Sequence, residues 1–270
     1  LKKPSSSQLC KRIIDRDAEL PMTAFKDHFS GHANIYREAR PTYPQALFAW
    51  LAQQAPDREL AWDAGCGNGQ ATVALAEHFA RVIGTDPSAN QIAEAEPRAN
   101  IEYRVEPAEQ STLAAASASV VTVAQALHWL DHARFYEQVR RVVKPGGIIV
   151  AWAYAHCDAG DAAVDHAVER LYVDLTGPYW PTERSLVETG YRTLPFPFVE
   201  IAAPEFPMIA PWTVDHLLAY LRSWSATQRY IKALGEDPVT LIEPELRAAW
   251  GDSSCVRDVR WQFHVRVGRV

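Results

Sequence analysis

A chain of 270 residues is long enough for one sizeable domain with its own core, or for one domain carrying an insertion. Hydrophobic residues make up 48% and charged residues 22%, an ordinary globular balance that excludes a disordered or low-complexity chain. The formal charge is −6 and no run of five Lys or Arg occurs, which argues against a nucleic-acid or anionic-membrane surface.

Residues 1–21 begin without Met and are polar, mixed in charge and weakly periodic. They are expected to be an upstream extension, disordered or loosely attached; a native arm docked on the domain is the other reading. From Met22 apolar residues start to recur at helical spacing. After Tyr43, Pro44 suits a first helical turn, and Leu47, Trp50 and Leu51 follow at helix spacing. Strand-like and helix-like segments then alternate. Residues 60–64, 81–86, 101–105, 119–124 and 148–153 read as strands. Residues 70–80, 87–95, 109–116 and 132–143 read as helices, and "KPGG" at 144–147 turns the chain into the fifth strand. Nearly continuous apolar strands alternating with helices indicate βαβ units and a parallel sheet covered on both faces.

The rhythm changes after Tyr154. Residues 161–175 read as a helix, "GPYWPTER" as a rigid aromatic loop, 198–201 as a strand, and 213–234 as a long or broken helix. At the end Val259, Trp261, Phe263, Val265 and Val267 alternate with polar residues, the period-two pattern of a half-exposed antiparallel edge strand. The expected architecture is a Rossmann-like, doubly wound, mostly parallel α/β sheet that finishes with an antiparallel strand pair. Residues 22–154 would form the ligand-binding core, 155–255 a helical, aromatic-rich cap, and 256–270 the last strand.

Cys10, Cys66, Cys157 and Cys255 are scattered and show no CxxC spacing, so neither a zinc site nor a disulfide framework is expected. No apolar run reaches the ~18 residues of a membrane span, and no signal-peptide core is evident. A cytoplasmic location is expected by elimination.

The segment "LAWDAGCGNGQATVALAEHF" carries the chemistry. Gly65, Gly67 and Gly69 follow the first strand, at the carboxyl end where open α/β sheets bind ligands. Glycine permits positive φ and removes the Cβ that would hold a ligand away. The spacing is GxGxG rather than the GxGxxG of a dinucleotide fingerprint, with Gln70 in place of the third glycine, so the ligand stays open on this ground alone. Asp86 ends the second strand, where a carboxylate can accept hydrogen bonds from both hydroxyls of a ribose; the plain alternative is a cap on the helix opened by Pro87 and Ser88.

"WDAGCGNGQATVALA", "VIGTDPS", Ala108-Glu109, "VAQALHWLD" and "RVVKPGG" together resemble the ordered motifs of class I S-adenosylmethionine-dependent methyltransferases. "YREARPTYP" and "LHWLD" resemble more narrowly the trans-aconitate methyltransferase-like branch. The resemblance is strong over residues 25–154; "YWPTER", "LRSWSATQRY" and "VRWQFHVRVGR" are similar to a carboxy-terminal half of some members. It implies S-adenosylmethionine as cofactor and methyl transfer, by in-line displacement, to a small-molecule acceptor with an O- or N-nucleophile, a carboxylate included. Nucleic-acid and membrane partners are not expected, and oligomeric state is unreadable. The rival functions are a non-catalytic adenosylmethionine-binding protein and an NAD(P)-dependent oxidoreductase.

The resemblance also implies roles. Gly65, Gly67 and Gly69 would lie against the adenosyl and methionine parts, Asp63 would help hold the cationic amino end, and Asp86 would take the ribose. Pro107, Ala108 and Glu109 would border adenine, with Pro107 standing where many members place an Asp. Gln125 would lie near the methionine portion. Tyr36 and Arg40 would close over the cofactor, Arg40 pairing its carboxylate bidentately. His128 follows the fourth strand. With a pKa near neutrality it would take a proton from a hydroxyl or amine acceptor, or orient a carboxylate; packing beneath a helix start is the other reading.

Overall fold

The computed structural model describes residues 39–270. The expectations for residues 1–21 and for Tyr36 lie outside the described residues. Five strands run parallel: β1 (Leu60–Ala64), β2 (Arg81–Asp86), β3 (Ile101–Val105), β4 (Ala118–Ala124) and β5 (Val143–Asp158). β6 (Val199–Ile201), β7 (Met208–Trp212) and β8 (Arg257–Arg269) complete the sheet, in the order β3-β2-β1-β4-β5-β8-β6 with β7 also on β8. β8 is antiparallel to β5, so the expected fold class stands.

Helices cover both faces because the strand residues are apolar on both sides. Ile148, Val150 and Trp152 of β5 pack with Leu47, Phe48 and Leu51 of α1 (Gln45–Gln54) and with Leu75 of α2 (Gln70–Ala76). The intervening Ile149, Ala151 and Ala153 pack on the other face, against Phe135, Val139 and Val142 of α4 (His132–Val142). Between these helices α3 is short (Ala89–Ala93), N-capped by Ser88, whose Oγ accepts the Gln91 N–H at 3.3 Å.

Several elements depart from the sequence reading. The helix expected over 109–116 is only a 3-10 turn at Ala108–Gln110. Arg141 explains this: its guanidinium donates to the carbonyls of Ser111 and Leu113, each at 2.6 Å, and Leu113 is buried. A helical segment would have turned those carbonyls onto itself. β5 starts at Val143, directly after α4, with Lys144–Gly147 looped out between two pairing stretches on β4. The strand expected at 148–153 is thus the middle of a longer one.

In the carboxy-terminal half α5 (Ala162–Glu169) continues as a π-helical turn, Arg170–Leu175. α6 (Arg184–Glu188), α7 (Val214–Arg222), α8 (Ser225–Leu234) and α9 (Glu243–Trp250) follow. The segment 213–234 is therefore broken, at Ser223-Trp224, where the Trp224 ring is buried.

The last strand is not an edge. β5 pairs with one side of β8, while β6 and β7 pair, end to end, with its other side. Its polar alternate residues are covered in the second half of the strand, from His264 on, while Arg260 and Gln262 stay exposed. Arg266 donates to the carbonyls of Tyr191 and Leu194, and His264 packs on Gly190. The stretch 155–255 accordingly supplies two strands to the sheet as well as helices.

Candidate active site

The chain reverses its direction of winding between β1 and β4: β2 and β3 lie on one side of β1, β4 and β5 on the other. A crevice forms at such a switch point, beyond the carboxyl ends of the two strands. Here the loops after β1 and β4 touch, since a Cβ on Gly65 would stand 2.8 Å from the Cβ of Ala126. The three glycines all have positive φ but serve different ends. At Gly69 a Cβ would strike the Tyr103 hydroxyl, which lies under the loop. At Gly67 the nearest atom is Gln91 Oε1 at 3.6 Å, so only Gly67 keeps the space of its missing side chain open.

Asp86 fastens this loop to the end of β2. One carboxylate oxygen accepts the Gly67 N–H at 2.9 Å and the other accepts the Ser88 N–H at 2.9 Å. The helix cap is supplied by Ser88 and not by Asp86. Asp63 sits deeper, with no exposed surface, and its carboxylate accepts from Thr72 Oγ1 at 2.7 Å and Thr122 Oγ1 at 2.8 Å. Burial pushes its pKa up to about 6, against the opposing pull of the two hydroxyls. Asp63 therefore ties α2 to β1 and β4 and is set back from the crevice.

The remaining residues fall around the same crevice. Ala108 is buried in the 3-10 turn after β3, and Pro107 precedes it in extended conformation. The Glu109 carboxylate accepts the backbone N–H of Asp131 at 2.9 Å, joining this turn to the start of α4. Gln125 adopts φ +54°, rare for a residue with a side chain. Its Nε2 donates to the Tyr154 carbonyl at 2.8 Å, and its Oε1 is buried without a hydrogen-bond partner among the described residues. Arg40 reaches between core and cap, with Nη1 donating to Tyr154 Oη at 3.0 Å and Nη2 to the Ser223 carbonyl at 3.2 Å.

His128 does not meet the expectation of a near-neutral imidazole. It shares a 2.8 Å hydrogen bond through Nδ1 with the Tyr191 hydroxyl, and the two rings stack at 5.8 Å. Burial, helped by the nearby Arg184 charge, pushes its pKa down to about 3. It is neutral throughout the physiological range.

Comparison with known proteins settles the family. A family model described as a methyltransferase domain matches residues 62–151. A protein of Dictyostelium discoideum named as a methyltransferase is 34% identical over 252 residues, 90% of this chain and 95% of its own length. The chain belongs to the class I S-adenosylmethionine-dependent methyltransferases. A solved structure described as a type II methyltransferase from Anaeromyxobacter dehalogenans shares 46% identity and a TM-score of 0.80, covering 85% of this chain and 97% of that one. A Saccharomyces cerevisiae protein named as an S-adenosylmethionine-dependent methyltransferase is 31% identical over 146 residues, about half of each chain.

The methyltransferase uses S-adenosylmethionine, and two observations fit that ligand. The orphaned Gln125 Oε1 calls for an N–H donor such as an ammonium group, and the open cradle at Gly67 admits a ligand against the backbone. A cavity of about 350 Å³ lies nearby, lined by Arg40, Tyr43, Phe48, Gly69, Gln70 and Arg98; Asp86 and Gln125 are not among its walls. Among the described residues no cluster suited to a metal ion occurs, and no helix is long and apolar enough to cross a membrane.

Sequence reasoning missed several parts of the methyltransferase's site. Gln70, noted only as an imperfect glycine, donates through Nε2 to the Pro41 carbonyl at 2.9 Å and so ties the segment before α1 to the glycine loop. Thr72, Thr122 and Tyr191 hold Asp63 and His128. Thr72 and Thr122 stand in a helix and in a mostly apolar strand, with no local pattern that marks them. Nothing in the local pattern around Tyr191 points 63 residues back to His128.

Proposed function

We propose that this methyltransferase acts on a small-molecule acceptor through an O- or N-nucleophile, carboxylates included, within the trans-aconitate methyltransferase-like branch. One observation carries the acceptor class. Beside the end of β5 the cap sets a wall of aromatic rings, with Tyr172 4.9 Å from Trp180 and the buried Trp224 packed behind at 5.6 Å from both. Such a wall suits a compact, partly apolar ligand. The net charge of −6 disfavours a nucleic-acid acceptor, and the motifs "YREARPTYP" and "LHWLD" support the branch. The proposed organisation is a cofactor core at 22–154, an acceptor cap at 155–255 and a closing strand at 256–270, working in the cytoplasm.

In this reading Gly65, Gly67 and Gly69 shape the loop, with Gly67 the point of closest approach. Asp86 takes the ribose hydroxyls. Pro107, Ala108 and Glu109 border adenine, with contact through backbone. Gln125 Oε1 receives the amino group, while Asp63 acts on it through the loop it braces. Tyr36 and Arg40 close the site from the amino-terminal side; Arg40 would leave Tyr154 or Ser223 to pair a carboxylate.

Bound S-adenosylmethionine supplies an electrophilic methyl group on a sulfonium. The residues of the chain then have little covalent chemistry to do: they align the acceptor and exclude water, and alignment by itself is worth several kcal/mol of barrier. His128, neutral and held by Tyr191, orients the acceptor by a hydrogen bond instead of drawing off its proton as a strong base.

Calorimetric titration with S-adenosylmethionine, followed by a labelled-methyl transfer screen over small molecules, tests this reading. Asp86→Ala should weaken binding at least tenfold, since a hydrogen bond to a charged group contributes about 1.5–3 kcal/mol. Binding equal to the parent's would remove Asp86 from the site.

A further inference from the structure

The underside of the cap holds a cation to which the reading above gives no task. Arg184 opens α6 on the face it shares with Val187, which is buried, and its own side chain is only 17% exposed. Its Nε donates to Tyr172 Oη at 2.8 Å, and its guanidinium lies 4.6 Å from the centre of the Trp180 ring and 5.4 Å from that of Tyr172. Glu188 stands 3.7 Å from the same Nε and is nearly half exposed. Among the described residues Nη1 and Nη2 have no hydrogen-bond acceptor.

The location is as informative as the vacancy. Tyr172 also packs edge-on against His156, near the end of β5, at 5.5 Å, and against Trp224 at 5.6 Å. Beyond α6 the chain turns directly into Tyr191, the ring stacked on His128 after β4. The Arg184 charge is felt at His128 and at Tyr191. A guanidinium kept largely from water is costly unless its donors are used. Here two aromatic faces and one hydroxyl fix its plane, while the pair of donors best suited to a carboxylate is left over.

We propose that Arg184 is an acceptor-binding residue: its Nη1 and Nη2 anchor a carboxylate of the methyl acceptor, whose apolar body lies along Tyr172 and Trp180. The inference rests on the methyl-transfer reading of the site and adds the acceptor's chemical class. Both oxygens of a carboxylate held bidentately are engaged, so the anchored group is not the nucleophile. The acceptor carries its reacting oxygen or nitrogen elsewhere, on the side of His128.

The full-length chain, saturated with S-adenosylhomocysteine, would be titrated with phenylacetate and 3-phenylpropanoate and with the matching neutral amides. Ligand-observed NMR would follow binding. Arg184→Gln and Arg184→Lys would be treated alike, with calorimetric affinity for S-adenosylhomocysteine and thermal melting as controls. The acids should bind the parent at least tenfold more tightly than the amides. Arg184→Gln should erase that preference while keeping homocysteine-ligand affinity and melting temperature, and Arg184→Lys should retain part of it. Equal binding of acids and amides by the parent, or an undiminished preference in Arg184→Gln, overturns the inference and leaves the methyl-transfer reading standing. Failure of the parent to bind S-adenosylhomocysteine at all overturns both. Should Arg184→Gln not fold, the comparison of parent with Arg184→Lys decides: an unchanged preference overturns the anchor.

Discussion

Asp63 stands near the end of the first strand, in the "WDAG" stretch, where the family resemblance implies a residue that helps hold the cofactor's amino end. In the structure it braces the loop, with two threonine hydroxyls donating to a carboxylate that has no exposed surface. Its pKa rises from 3.8 to about 6, which makes the ionised form a liability in the folded state. The sign follows from linkage. A folded-state pKa above the unfolded one adds stability that is fully present below about pH 4 and is lost as the pH rises through about 6. Asp63→Asn keeps one oxygen to accept a threonine hydroxyl, reverses the other contact so that the amide donates to the hydroxyl oxygen, and removes the charge. It should raise stability at pH 7.5 by up to roughly 3 kcal/mol and change it little near pH 4. Denaturant melts at the two pH values check this; an equal effect at both would assign the change to packing. His128 teaches the converse lesson. Its residue type suggested a neutral-pH base, but burial decides its proton affinity, and burial is not visible in "LHWLD".

Among the elements, the loop between β1 and α2 repeats one residue type for two purposes. Gly69 is a packing glycine, because β3 places Tyr103 under it, and Gly67 is the open one. Gly69→Ala should therefore destabilise the fold by more than the about 1–2 kcal/mol of its left-handed backbone, since a side chain must also displace Tyr103. Tyr103→Phe in the same chain should recover part of that loss. Gly67→Ala should cost only the backbone strain in a thermal melt yet weaken S-adenosylmethionine binding in calorimetry. If the two alanine variants behave alike in both measurements, the division of labour is wrong. The expected helix at 109–116 lost its carbonyls to Arg141, a tertiary contact overriding local preference. Of the two forms open for 213–234, long or broken, the structure has the broken one, with Trp224 turned into the core.

At the scale of the whole molecule β8 is the member on which the carboxy-terminal half depends. It pairs with β5 over most of its length and gives β6 and β7 their only sheet partner among the described residues. Val259, Trp261 and Val267 are buried in the larger core. A chain ending at residue 255 should not retain the amino-terminal core as a folded unit. It would leave the apolar edge of β5 unpaired, together with Trp152 and Tyr154 beside it. Circular dichroism and hydrogen exchange on the truncated protein check this. A cooperative melt with protected β1 and β4 amides would show instead that the amino-terminal core folds without β8.

The alternation of apolar strands and helices, the glycine spacing and Asp86 at a strand end were all legible in the sequence. Each is a local pattern: hydrophobic period reports which faces are buried, and glycine and proline report where the backbone must turn. From these the doubly wound sheet and the position of the crevice could be read; the class of enzyme came from the resemblance of the ordered motifs to a known family. What only the tertiary structure decided are relations across the chain. They include Gln125 with its orphaned oxygen, Asp63 shut behind two threonines, His128 neutral against Tyr191, and Arg184 aimed beneath the cap. The last strand reads as an edge because alternation reports polarity, but β6 and β7 pair with it and a distant loop covers its polar side from His264 on. Proton affinity and hydrogen-bond satisfaction depend on what surrounds a group in space, and in this molecule those surroundings come from segments tens of residues away.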